Sequence, residues 1–422
     1  MILAGFEAKL RGSLAIRAIA RVVAPRTVFL TGGSLRDRVT GYPAHDLDLA
    51  VAGDPASAAN ALARAFGGRA IALGRAPKIT WRVVGFSTTI DLWGMTDPAS
   101  DILRRDFTVN ALFWKLPAGP LIDLVGGLED LRAGRIRVVA DANLAADPLR
   151  VLRAVRLVAT HAGLWPTAVT ERALATHAGG LVCTARERIV SELVLLVCGE
   201  RADRALQMAW RLGIMAVVVP GWECQQPPDA IVATARALTA VQDHGSRRLA
   251  DGARSVAPAL LAAPAAGFPS TWNETCATRA LVQAGFSARQ AARTVHAAGD
   301  GERLGRAMIT GPLAEVRGML ATVAEPDAAL AWATARVAGH GPRPLTDAST
   351  EMRWLRRFSR RHPPLDGEEI AELLHLKPGP ARAEAVARLR QALARGEVRG
   401  RRQAERFLLA TSLSEQSGPP AV

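Results

Sequence analysis

The stretch from Val28 to Ala52, VFLTGGSLRDRVTGYPAHDLDLAVA, restricts the fold more than any other in the chain. The apolar run Val28-Phe29-Leu30 reads as a buried strand. Gly32 and Gly33 follow, and a missing Cβ lets backbone N–H groups come close to an anion, typically a phosphate. A short basic segment, Leu35 to Val39, has room for one or two helical turns, and the chain returns as a second strand carrying Asp46 and Asp48. Side chains two apart on a strand share a face, so both carboxylates aim at one spot. Two carboxylates beside a phosphate cradle are what a pair of Mg²⁺ ions needs for in-line phosphoryl transfer. Gly-Gly alone is usually a turn and Asp-x-Asp alone an exposed strand face; their order within one unit carries the signal.

Gly32-Gly33-x-Leu35-Arg36-Asp37 followed by Asp46-x-Asp48 resembles the head of the class II tRNA nucleotidyltransferase and bacterial poly(A) polymerase family. The composition agrees with such a chain. Hydrophobic residues make up 49% of the 422, which excludes a disordered protein and leaves room for about two to four domains. A net charge of +14 favours a polyanionic partner, nucleic acid before membrane, because basic side chains displace the counterions condensed on phosphate. Cys183, Cys198, Cys224 and Cys276 lie far apart without CxxC or zinc spacing, which suits free thiols in a reducing cytoplasm. Met1 to Val23 has charges inside every apolar run and reads as an amphipathic helix, not a signal peptide. No apolar run reaches the ~18 residues of a membrane span.

After Ala52 a helix is expected over Pro55–Phe66, closed by Gly67-Gly68, then strands over Arg69–Leu73, Ile79–Val84 and Thr88–Trp93. The last carries Asp91, either a third carboxylate for the metal site or a strand-end charge. Leu103 to Ala111, LRRDFTVNA, fits a helix face with Arg105, Asp106 and Asn110 near one another. By itself RRD is an ordinary surface salt-bridge patch; here it resembles the family's second motif, RRDFTINA. The resemblance implies that Arg105 and Asp106 meet the ribose and triphosphate of a nucleotide, and an arginine is a natural clamp for such an anion. Leu121–Leu131 reads as strand, Gly turn and helix and resembles the third motif, a hinge.

Asp147 and Pro148 are a good helix start, and Arg150, Arg153 and Arg156 form one basic stripe along that helix. Such a stripe is either solvated or aimed at an anion. The resemblance to the fourth motif, EDxxRxxRAxRF, implies that Asp147 and Arg150 imitate a Watson–Crick partner for CTP or ATP, with Arg153 and Arg156 holding triphosphate or stiffening the helix. One position departs: Ala146 stands where the family has the Glu that holds the base-reading Arg, which bears on nucleotide selectivity. Ala185–Leu193 resembles the fifth motif, a helix supporting this template.

Beyond Arg201 the chain is helical by period and punctuated by Pro220, Pro227-Pro228, Pro258, Pro264 and Pro269. It resembles an HD-type domain in which Ala259-Leu260-Leu261-Ala262-Ala263 replaces the run ending in His-Asp, so no second metal and no phosphohydrolase activity are expected. Pro364–Ile370, Leu376–Pro380 and the helices expected over Arg382–Ala394 and Arg401–Leu409 resemble the family's tRNA-gripping tail.

The resemblance covers nearly the whole chain and implies an α+β nucleotidyltransferase head with a polymerase-beta-like mixed sheet, followed by all-α neck, body and tail. The expected divisions are 1–143, 144–200, 201–345 and 346–422. It implies Asp46 and Asp48 as the catalytic, Mg²⁺-holding pair and Gly33 and Arg36 as a triphosphate cradle. It implies tRNA as partner and CTP and ATP as substrates. Complete CCA-adding members have a longer loop where this chain has Leu92 to Leu103, and a connection this short resembles members that add only CC and leave the A to a separate A-adding enzyme. The other readings are a poly(A) polymerase and a non-catalytic RNA-binding protein that keeps the fold.

Overall fold

The computed structural model describes residues 2–44, 46–75, 78–85, 88–223, 229–338 and 343–416. Cys224 and Pro227-Pro228 lie outside them. The chain divides into two compact units, Met1–Ala154 with Gly163–Cys183, and Val155–Ala162 with Thr184–Val422.

The first unit opens with helices α1 (Ile2–Gly12) and α2 (Leu14–Val23), whose Phe6, Leu10, Ile16, Ile19 and Val23 are buried. Strand β1 (Val28–Thr31) runs into α3 (Gly32–Thr40), and β2 (Asp46–Ala52) returns antiparallel to β1. Helix α4 spans Pro55–Phe66, the expected bounds. Asp54 caps it by accepting from the Ala56 and Ser57 amides, Pro55 sits in its first turn, and Gly67 ends it at φ 71°. Strands β3 (Arg69–Arg75), β4 (Lys78–Val84) and β5 (Thr89–Met95) follow, then the short helix α5 (Pro98–Ile102) and β6 (Leu112–Lys115) and β7 (Leu121–Asp123). The sheet order is β3-β4-β5-β2-β1-β6-β7, with β2 and β5 parallel and the other pairs antiparallel. This is the mixed sheet of an α+β head.

Period-two alternation divides the core between the sheet's faces. Val28, Leu30, Leu47, Leu49, Val51, Leu112 and Trp114 join one cluster together with α1, α2 and α4. Phe29, Ala50, Ala111 and Phe113 belong to the other, with Met95 and Ile102.

The helix expected over Leu103–Ala111 does not form. Phe107 is extended (φ −125°, ψ 150°) and only Thr108–Asn110 makes a 3₁₀ turn before β6. The backbone there bonds across the chain: Thr108 N–H donates to the Arg137 carbonyl at 2.9 Å and Val139 N–H to the Asp106 carbonyl at 3.0 Å. Phe107, Val109, Ala111 and Phe113 are all fully buried, so the run obeys the strand period as well as a helical one.

Helix α6 (Gly127–Arg132) follows the Gly126-Gly127 corner, which Asp123 holds by accepting from the Gly127 and Leu128 amides at 2.9 Å. A Cβ on Gly127 would stand 2.2 Å from the Thr108 carbonyl oxygen, so only glycine fits against the 3₁₀ turn. Past the short strand β8 (Arg135–Ile136) come α7 (Asp141–Ala146) and α8 (Leu149–Thr160), then β9 (Trp165–Pro166) beside β8 and α9 (Ala168–His177). Asp147 is extended (φ −145°, ψ 91°) and its carbonyl takes the Arg150 amide at 3.1 Å, so the chain enters α8 from there, with Pro148 next.

The described residues of the second unit are helical from α10 (Arg186–Val197) to a last helix over Arg401–Gln416. Ala259–Ala263 is fully buried, and the Trp222 indole donates to the Leu261 carbonyl at 2.7 Å. The C-terminal helices Gly367–Leu374, Pro380–Arg395 and Arg401–Gln416 share their own apolar cluster, including Leu365, Ile370, Leu389 and Leu408. No described helix is long and apolar enough to cross a membrane.

Candidate active site

Asp46 and Asp48 lie on the sheet face of Ala50, as their spacing requires. Asp46 is exposed and Asp48 half-buried. Asp48 is gripped at the start of α3: its Oδ2 accepts from the Ser34 amide at 3.2 Å, and its own amide donates to Ser34 Oγ at 2.9 Å. Gly32 is at φ 67°, and a Cβ there would meet Asp48 Oδ2 at 2.8 Å. Burial raises the Asp48 carboxyl above its ordinary value; the Ser34 amide and Arg105 oppose this, and the neighbouring charges of Asp91 and Asp46 add to it. A carboxylate strained toward the neutral form beside a second one is poised to gain from a cation. The hard oxygen donors of Asp46 and Asp48 fit Mg²⁺, although no group of three or more metal-binding side chains is found among the described residues.

Asp91 is directly opposite Asp48 on β5 and faces the same way. Its two oxygens take Arg82 Nε and Nη2, each at 2.8 Å, so it is a paired mid-strand carboxylate.

Arg36 points away from solvent. It is 4% exposed, with Nε on Asp37 Oδ1 at 2.8 Å and Nη1 on Asn110 Oδ1 at 2.6 Å. Asn110 Nδ2 in turn donates to Asp106 Oδ1 at 3.0 Å, which also accepts the Phe107 amide at 2.7 Å, while Arg153 Nη1 lies 3.7 Å from Asp106 Oδ2. Burial alone would raise the Asp106 carboxyl, but Arg153, Asn110 and the Phe107 amide outweigh it and hold it below its ordinary value.

Arg105 does not join that network through its side chain. It turns to Asp101, with Nε on Oδ2 at 2.8 Å and Nη2 at 2.6 Å, and its guanidinium lies over the rings of Trp93 (5.1 Å) and Phe113 (5.0 Å). Arg105 lines a cavity of about 710 Å³ with Asp101, Ala146, Asp147, Arg150 and Arg153. Of the stripe on α8, therefore, Arg150 and Arg153 reach this cavity. Arg156 belongs to the second unit and pairs there with buried Glu192 at 3.2 Å. Gly33, Asp46 and Asp48 are not in the cavity wall; Arg105 links the two regions by its electrostatic pull on Asp48.

Asp101, Trp93 and Ser34 were not singled out from the sequence. Only Asp101, four residues before Arg105, left a signal there.

A family profile described as the poly A polymerase head domain matches residues 87–137, and one described as a probable RNA and SrmB-binding site of polymerase A matches 166–225. The CC-adding tRNA nucleotidyltransferase of Thermus thermophilus is 38% identical over 203 residues, 46% of this chain and 45% of that protein. The A-adding tRNA nucleotidyltransferase of Deinococcus radiodurans is 37% identical over 201 residues, 46% of each. The chain thus spans about half the length of the relatives it matches in sequence. Over the whole chain, the fold is similar to that of the Bacillus stearothermophilus CCA-adding enzyme in complex with CTP, with a TM-score of 0.71 at 21% identity, covering 96% of this chain and 99% of that one. The Thermotoga maritima CCA-adding enzyme complexed with tRNA gives 0.65 at 19%, covering 96% and 98%.

Proposed function

We propose that this chain, which belongs to the family of class II tRNA nucleotidyltransferases and bacterial poly(A) polymerases, transfers nucleotides from CTP or ATP to the 3′ end of tRNA. The observation that carries the reading is the pairing of Asp46 and Asp48 on one strand face with a cavity walled by Arg105, Asp147, Arg150 and Arg153. Carboxylates for a cation and guanidinium groups for a triphosphate are the two halves of a phosphoryl-transfer site.

Mg²⁺, held by Asp46 and Asp48, would lower the pKa of the RNA hydroxyl and neutralise the leaving pyrophosphate. The chain's own groups do the rest. Arg105, held against the rings of Trp93 and Phe113 and paired with Asp101, presents its charge to the phosphates with little entropy to lose. Arg153 adds a second cation in the same wall. Asp147 accepts and Arg150 donates, the complementary pair needed to read a base edge. Arg36 supports this wall from behind through Asn110 and Asp106. Arg156 stiffens α8 through Glu192.

For the product we infer CC. The connection between Asp91 and Arg104 is short and contains α5, closed by a capping box in which Asp97 and Ser100 bond each other's backbone. Asp101, at its end, is tied to both Arg104 and Arg105. A connection fixed in this way favours one base, and a separate A-adding enzyme would complete the end.

The test is extension of a tRNA transcript lacking its CCA end, with Mg²⁺ and CTP or CTP plus ATP, read at single-nucleotide resolution. Two nucleotides in both mixtures is the expected result, with none from Asp46→Asn. Three nucleotides with ATP would make it a CCA-adding enzyme, and long tails from ATP alone a poly(A) polymerase. Activity unchanged in Asp46→Asn would sink the catalytic assignment.

A further inference from the structure

Among the described residues, no carboxylate lies at hydrogen-bond distance from Arg150. Its Nη1 donates to the main-chain carbonyl of Asn143 at 2.9 Å and its Nη2 to that of Arg104 at 2.6 Å. These carbonyls come from segments far apart in sequence, the last turn of α7 and the turn after α5. One side chain ties the segments together: Asn143 Nδ2 donates to the Arg105 carbonyl at 2.8 Å. Asn143 is buried, and its carbonyl also takes the Asp147 amide at 3.3 Å. A single residue thus touches the backbone of Arg105 and Asp147 and the guanidinium of Arg150.

We propose that Asn143 is a positioning residue for base selection, fixing the two carbonyls that aim the Arg150 guanidinium into the cavity. The proposal rests on the reading of Arg150 as a base-reading group. A carbonyl carries no net charge, so this anchor orients the guanidinium without neutralising it, and among the described residues it uses two of the five N–H donors. Cytosine offers an acceptor at N3 and a donor at N4, whereas uracil offers the reverse. A fixed donor-only group beside the Asp147 acceptor discriminates between them, and one free to swing does not.

The test is equilibrium binding of CTP and UTP to the full chain in Mg²⁺, which needs no transfer step. It compares wild type, Asn143→Ala, the isosteric Asn143→Asp, and Asn143→Ala combined with Ala146→Glu. Ala146 lines the same cavity as Arg150, so a carboxylate there can anchor the guanidinium in a different way. Loss of the Asn143 donor is expected to lower the CTP-over-UTP preference about tenfold or more. The double variant is expected to regain most of it. A residue that served packing alone would show a preference unchanged in Asn143→Asp, or lost in Asn143→Ala and not regained with Ala146→Glu. Either result beside a wild type that prefers CTP overturns the role of Asn143 and leaves the proposed activity standing. A wild type with no CTP preference overturns both.

Discussion

Arg36 Nη1 donates to Asn110 Oδ1 at 2.6 Å, joining the helix after the Gly-Gly turn to the 3₁₀ turn of the RRDFTVNA segment. Both residues are buried, and Asn110 passes the contact on to Asp106. Asn110→Ala would leave a buried guanidinium and a buried carboxylate each short of a partner. The expected cost is about 2–4 kcal/mol, read as a lower urea midpoint with an unchanged slope. A loss below about 0.5 kcal/mol would mean that water or a rearranged side chain replaces both bonds.

Asp106 makes stability depend on pH. Its carboxyl is held below the ordinary 3.8, so the unfolded chain takes up this proton first as the solution is acidified. The stabilisation is therefore complete above pH 3.8 and is lost as pH falls through the depressed native value. Asp106→Asn is expected to lower the unfolding free energy by about 2 kcal/mol near neutrality. The gap from wild type should narrow only below pH 3.8. Chemical denaturation at several pH values measures it, and a gap that already closes between pH 5 and 7 would contradict the ion-pair account.

The strand, glycine turn and Asp-x-Asp of the head were legible because those depend on local rules: period-two burial, the missing Cβ at Gly32 and Gly33, and the closing Gly67-Gly68 of the next helix. Helix α4 was legible to its ends for that reason. Phe107 to Phe113 was not, since their spacing serves a helix and a strand alike and partners at Arg137 and Val139 decide between them. The anchors of Arg150 were invisible because a main-chain carbonyl leaves no mark on the identity of its residue. Arg36 was legible as a conspicuous cation, but not the buried side on which it points.

Asp101 should act on nucleotide affinity through its hold on Arg105. Its carboxylate is 5% exposed and takes Arg104 Nη2 at 2.9 Å as well as Arg105. Asp101→Asn would remove the charge that orients Arg105 while leaving the stack on Trp93 and Phe113. The expected result in steady-state kinetics is a nucleotide KM raised about tenfold, with kcat changed less. A pure kcat loss would place Arg105 in the transition state instead of in ground-state binding.

Gly32 protects the placement of Asp48, and its substitution separates fold from catalysis. Alanine at φ 67° costs about 1–2 kcal/mol of backbone strain. Its Cβ would also sit 2.8 Å from Asp48 Oδ2, and the carboxylate can yield only by giving up the Ser34 amide. Transfer should fall by about a hundredfold or more, since an ångström of misplacement at a reacting centre has that effect. Gly33→Ala is the control: its φ is not positive, and its Cβ would meet Arg36 Nη2 at 3.4 Å, an ordinary contact, so the melting temperature should hold. Gly32→Ala with a lowered melting temperature but full transfer would show that the position of Asp48 is not what this glycine secures.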